Sequence, residues 1–101
     1  MPNAFKSYQS TSVTTQTTVL TGPASTETTV IGLSIANTSA NPATVSVLLN
    51  TAYIIKDAPL PVGSTLVAIG GDQKVVVEAT DTLDVISDET VDVVTSTLEI
   101  T

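Results

Sequence analysis

Apolar and polar residues alternate along most of this chain with a period of two, the repeat of a strand that has one buried and one wet face. From Thr28 to Ala36, Ile31, Leu33 and Ile35 fall on one face and Val30, Gly32 and Ser34 on the other. Ala43 to Leu49 repeats the pattern with Val45, Val47 and Leu49 in phase, and Tyr53-Ile54-Ile55 resumes after a polar break at Asn50-Thr51. Leu83-Asp84-Val85-Ile86 opens a further strand, and Val91, Val93 and Thr95 share a face from which Asp92 points away. Leu98 and Ile100 have the opposite parity, so a bulge or twist near Thr95 to Thr97 is expected to return them to the core. No helical repeat of useful length interrupts this pattern.

The breaks between strands carry turn chemistry. Thr21-Gly22-Pro23 ends a first strand, and Asn37-Thr38-Ser39-Ala40-Asn41-Pro42 predicts a reversal into a hairpin. The stretch from Lys56 to Val85 reads as three short strands around which the rest is arranged. Pro59 and Pro61 keep Ala58 to Gly63 out of a central ladder, because proline has no N–H to donate. Gly70-Gly71-Asp72 predicts a hairpin joining Ser64–Ile69 to Gln73–Glu78, and Asp88-Glu89 an acidic turn. Pro2 to Gln16, polar apart from a few residues such as Phe5 and Tyr8, supports two readings: an edge strand, or an extended arm that docks on a neighbouring subunit. Together these elements predict an all-β, antiparallel sandwich or jelly roll of about seven to nine short strands in a single domain, residues 1–101.

Composition narrows the chemistry. Thr, Val and Ile supply about 40% of the residues, a population that packs well on a pleated surface. The aromatic content is 3%, so the core is aliphatic and thin, and a small domain of that kind gains stability by burying surface against other chains. A net charge of −7 disfavours nucleic acid and anionic membranes as partners. Neither Cys nor His is present, which removes disulfides, ordinary zinc sites and Ser-His-Asp or Cys-His relays. The N-terminal residues do not read as a secretion signal, and no run of apolar residues has the length of a membrane helix.

Asp81, Asp84, Asp88, Glu89 and Asp92 are the one dense set of reactive groups. Hairpin carboxylates can contribute to a Ca²⁺ site, yet the D-x-D-x-D-G spacing of a dedicated calcium loop is missing, and acids on wet strand faces also serve solubility. A glycosidase pair would need a cleft that so small a sandwich rarely offers. Gly70-Gly71-Asp72 lacks the spacing and the following helix of a phosphate loop. The Thr-rich faces, as at Thr14-Thr15 and Thr17-Thr18, suit water or glycan binding, and they equally reflect strand propensity. No catalytic residue, metal ligand or cofactor is assigned.

One resemblance adds to this reading. The succession Val30-Ile31-Gly32-Leu33-Ser34-Ile35-Ala36-Asn37-Thr38, Val45-Ser46-Val47, Pro59-Leu60-Pro61-Val62-Gly63-Ser64-Thr65-Leu66 and Gly71 to Val85 resembles small structural proteins of tailed bacteriophages, cyanophages in particular. The likeness covers most of the chain and lies in strand and turn motifs rather than catalytic ones. Where such proteins often carry Gly-Asp before the strand at Leu83, this chain has Thr80-Asp81. The resemblance implies a non-enzymatic virion protein, assembled in the host cytoplasm, that sits on the capsid surface as a cement or decoration protein. It would form a homo-oligomer, a trimer by preference, and bridge subunits of the major capsid protein. A tail, baseplate or fibre adaptor is the alternative role, and a carbohydrate- or ion-binding module a second. Phe5 and Tyr8 on the N-terminal segment, with Pro59, Leu60 and Pro61 on the proline-bearing loop, are the expected contact residues.

Overall fold

A computed structural model describes residues 3–70 and 74–100. Among them the chain forms seven strands: β1 (Asn3–Thr21), β2 (Glu27–Asn37), β3 (Ala43–Leu49), β4 (Ala52–Leu60), β5 (Thr65–Ile69), β6 (Val75–Val77) and β7 (Thr82–Ile100). The all-β, antiparallel class expected from the alternation is what the chain adopts. All seven strands belong to one sheet, hydrogen-bonded in the order β4-β3-β7-β2-β5, with β1 on β7 and β6 on β2. The sheet curls so that its inner face closes on a core of Val30, Leu33, Ile35, Val45, Val47, Ile69, Leu83, Val85 and Val91.

The organising element is β7 rather than the stretch from Lys56 to Val85. It pairs with β1 along nearly its whole length, from Asn3 opposite Ile100 to Thr21 opposite Thr82. It also pairs with β2 and then β3 in succession, from Glu27 opposite Ile100 down to Leu49 opposite Leu83. Nineteen residues would span about 60 Å if flat and extended, more than the 45 Å long axis of the body. Register shifts in the β1–β7 ladder between Ser10 and Val13, Val13 and Thr15, and Thr18 and Leu20 mark where the two long strands bend around the core.

Two expected turns are instead interruptions in running strands, and two strands expected to pair as a hairpin do not pair with each other. Residues 38–42 do not reverse the chain, since β2 and β3 both run antiparallel to β7. They loop out and are stitched back where the Thr38 N–H and hydroxyl donate to the Thr90 carbonyl, and where Asn37 Nδ2 donates to the carbonyls of Asn41 and Leu60. Similarly, β5 and β6 are not the arms of a hairpin. Each pairs with β2, Ala36 opposite Thr65 and Thr28 opposite Val77, so they follow one another along it. The expected turn at Gly70-Gly71-Asp72 falls largely outside the described residues. Asp88-Glu89 lies within β7, where 88–90 bulge opposite the Val13–Thr15 step. Asn50-Thr51, by contrast, does turn β3 into β4, with Asn50 in the left-handed region at φ 55°.

Two face assignments change as well. A register shift between Val30 and Gly32 turns Ile31 away and puts Val30 in the core with Leu33 and Ile35. In β7 no return of Leu98 and Ile100 to the core occurs: the buried set continues on odd positions through Thr95, Thr97 and Glu99. The bulge sits on the partner β2, which keeps the inner face of β7 in phase.

Candidate functional site

The outer face of the layer β1–β7–β2–β5/β6 is built by strand parity. Phe5 stands opposite Leu98, Leu98 opposite Thr29, and Thr29 opposite Val76, making one row across four strands. Two steps along β7, Gln9, Val94, Ser34 and Val67 form the next equivalent row but one. Phe5 is 76% exposed, Val67 65%, Val76 53% and Val94 42%. With Leu98 part-exposed between Phe5 and Thr29, these residues form an apolar strip on the solvent side of the sheet, interrupted by the Ser7–Ser96–Gly32 row. Such a strip is the surface feature that marks protein–protein contact.

Beside it runs the open edge of β1, whose only strand partner among the described residues is β7. Its first eight residues, Asn3 to Ser10, keep an unbroken register with β7 from Ile100 to Val93. On the inner face of this segment Tyr8 donates a hydrogen bond through its hydroxyl to Glu99 Oε2. That bond, with burial and the Glu99 charge adding to it, pushes the phenol up to about 12. Nearby Thr28, Thr95 and Thr97 are fully buried, and the hydroxyls of Thr28 and Thr95 have no hydrogen-bond partner among the described residues.

The five expected contact residues are scattered. Phe5 points out into the apolar strip. Tyr8 turns inward to Glu99 and is part-buried. Pro59 is exposed on β4, opposite Thr44 at the sheet edge, as its missing N–H requires. Leu60 is corrected from surface to core: it is 2% exposed, because its place opposite Ala43 puts it on the inner face. Pro61 is exposed and its carbonyl accepts the Ser64 N–H and hydroxyl. The alternation assigned Val94 no role and expected Leu98 inside. The signal that could have found them is the polar Thr95-x-Thr97-x-Glu99 set, whose burial forces the apolar set outward.

The acidic residues of the central and last strands are spread along the sheet, and each accepts a local hydrogen bond. Asp88 Oδ1 takes the Thr44 N–H at 2.8 Å and Asp92 Oδ1 the Ser12 N–H at 3.0 Å. Asp84 Oδ2 takes Gln16 Nε2 at 2.8 Å, Asp81 Oδ2 the Glu78 N–H at 3.2 Å and Glu89 Oε1 Asn41 Nδ2 at 3.3 Å. They satisfy polar groups freed by bulges and loops, and among the described residues no three of them converge on a point that could hold a metal ion. Among those residues the surface also has no enclosed cavity. The arrangement can bury a flat face and extend a sheet. Compared with known proteins, the chain matches no family model, no curated protein and no solved structure.

Proposed function

We propose that this chain is a non-enzymatic assembly protein of a virion, of the capsid cement or decoration type, which lays the outer face of β1–β7–β2–β5/β6 on subunits of the major capsid protein. The observation that carries this reading is the exposed row Phe5, Leu98, Val76 with Val94 and Val67 behind it. A monomeric soluble domain gains nothing from holding such residues on one face, whereas a lattice-binding protein gains affinity from each copy and sums it over many. The kind of lattice is taken from the resemblance of the strand and turn motifs to those of phage structural proteins. No cofactor or reaction enters the role, and the domain acts by bridging subunits.

Uptake by particles tests it. Heads assembled without the chain should take up the purified protein and should lose most of that uptake when Val67 and Val94 are both changed to Lys, substitutions at exposed positions that leave the core intact. Equal uptake of that variant contradicts the reading.

A further inference from the structure

An open strand edge invites another strand unless it is guarded by prolines, charges, bulges or shortness. The edge strands of this sheet differ in these guards. β4 carries Pro59, the Lys56–Asp57 pair at 3.3 Å and a left-handed Asp57 at φ 53°. β5 has five residues and a register shift, and β6 has three. The second half of β1 is broken by Ser12 and Thr15 at φ 54° and 53°. Asn3 to Ser10 has one of these guards, the charge of Lys6, but no proline, no left-handed residue and an uninterrupted register. It also lies in the stretch before Glu27, where a chain of net charge −7 has Lys6 and no carboxylate.

We propose that this edge pairs with the same edge of a second copy, antiparallel, with Phe5 opposite Phe5, giving a two-fold dimer whose sheet runs through both chains. The proposal deepens the assembly reading by naming the partner at β1. Three features select a second copy. One edge per chain guarded by no more than a single charge is complemented by itself, which is the condition for a two-fold contact. The register covers the most exposed ring in the molecule with its own mate, in the cross-strand position where aromatic side chains interact. The charges also match. Residues opposite each other share a face, so Lys6 comes opposite Ala4 of the second copy, and Ala4 is itself opposite Glu99 in its own chain. Lys6 of one chain then lies in one row with Glu99 of the other, about 10 Å apart at the backbone, adding a second carboxylate to the diagonal Glu99 of its own chain at about 7–8 Å. Symmetry makes this pair twice. Within a single chain Lys6 is exposed and joins no ion pair among the described residues. The symmetry is twofold, in place of the trimer that the phage resemblance implies.

The absence of cysteine permits a clean test. Phe5→Cys, at an exposed position, should give a disulfide-linked dimer as the main product of mild oxidation, while Val67→Cys, on the same face at the opposite edge, should not. Native mass spectrometry of the unmodified chain should show twice the 10.3 kDa chain mass. Lys6→Glu should weaken the dimer about tenfold by setting like charges in both rows, and Lys6→Arg should not. A monomer, a trimer, or cross-linking of V67C as complete as that of F5C overturns the proposal. Because these measurements use the isolated chain, their failure leaves particle uptake standing or falling by itself.

Discussion

Tyr8 reaches along the inner face of the β1–β7 ladder to hydrogen-bond Glu99, two rows from its own cross-strand partner Thr95. The bond ties the N-terminal segment to the end of the chain and raises the phenol to about 12. A tyrosine whose folded value exceeds its unfolded value of about 10 stabilises the fold fully below about pH 10, and that contribution is lost as pH rises towards 12. Denaturant titrations at several alkaline pH values should show this loss in the native chain. Tyr8→Phe should lower stability by about 1–3 kcal/mol at neutral pH and remove this tyrosine's share of the alkaline loss. An unchanged alkaline profile in Y8F contradicts the assignment.

Gly22 connects β1 to the turn before β7. Its N–H donates to the Asp81 carbonyl at 2.8 Å and its carbonyl accepts from Thr80 at 3.0 Å. A Cβ here would fall 2.1 Å from the Glu78 carbonyl oxygen, a backbone atom that cannot swing aside. Gly22→Ala should therefore cost about 1–3 kcal/mol or more. Gly63, at φ 74° with nothing within 4 Å, should lose only about 1–2 kcal/mol on the same change, from conformational strain alone. Thermal unfolding of the two variants should rank them in that order.

Leu60 and Pro59 are neighbours with opposite surroundings. Leu60→Ala should cost about 2–5 kcal/mol, the range for deleting a buried leucine side chain. Pro59→Ala, on the exposed edge of β4, should change stability by less than about 1 kcal/mol. Equal effects would mean that Leu60 does not occupy the inner face.

An apolar contact strip sets the salt response. Uptake by particles through Phe5, Val94, Val67 and Val76 should change little between low and moderate ionic strength. A steep loss of uptake with salt would instead assign binding to the acidic surface and basic groups on the lattice.

The sequence carried the fold class because β-branched alternation is a local property, visible in Thr28–Ala36 and Ala43–Leu49 without knowing any neighbour. Pairing is not local. Asn37–Pro42 has the residues of a reversal, yet the same residues suit a looped-out interruption, and only the register of β2 and β3 on β7 decides between them. Asp88-Glu89 misleads in the same way, since a carboxylate that accepts the N–H of Thr44 across a bulge has the composition of a turn. Phe5 was legible as an exposed anchor in a polar segment. Val94 and Leu98 were not, because alternation fixes which residues share a face and assumes that the apolar set goes in. Here Thr95, Thr97 and Glu99 hold the inside. Thr80, at φ 68°, adopts the left-handed conformation that glycine would take more easily at this turn, which no pattern of alternation reveals.

The most direct test of an assembly role is the amount of this chain in purified particles of the phage type it resembles, counted against the major capsid protein by quantitative mass spectrometry. The account predicts hundreds of copies per particle, in fixed proportion to the capsid lattice. A few copies would move the chain to the tail, and absence from the particle would contradict the virion role altogether.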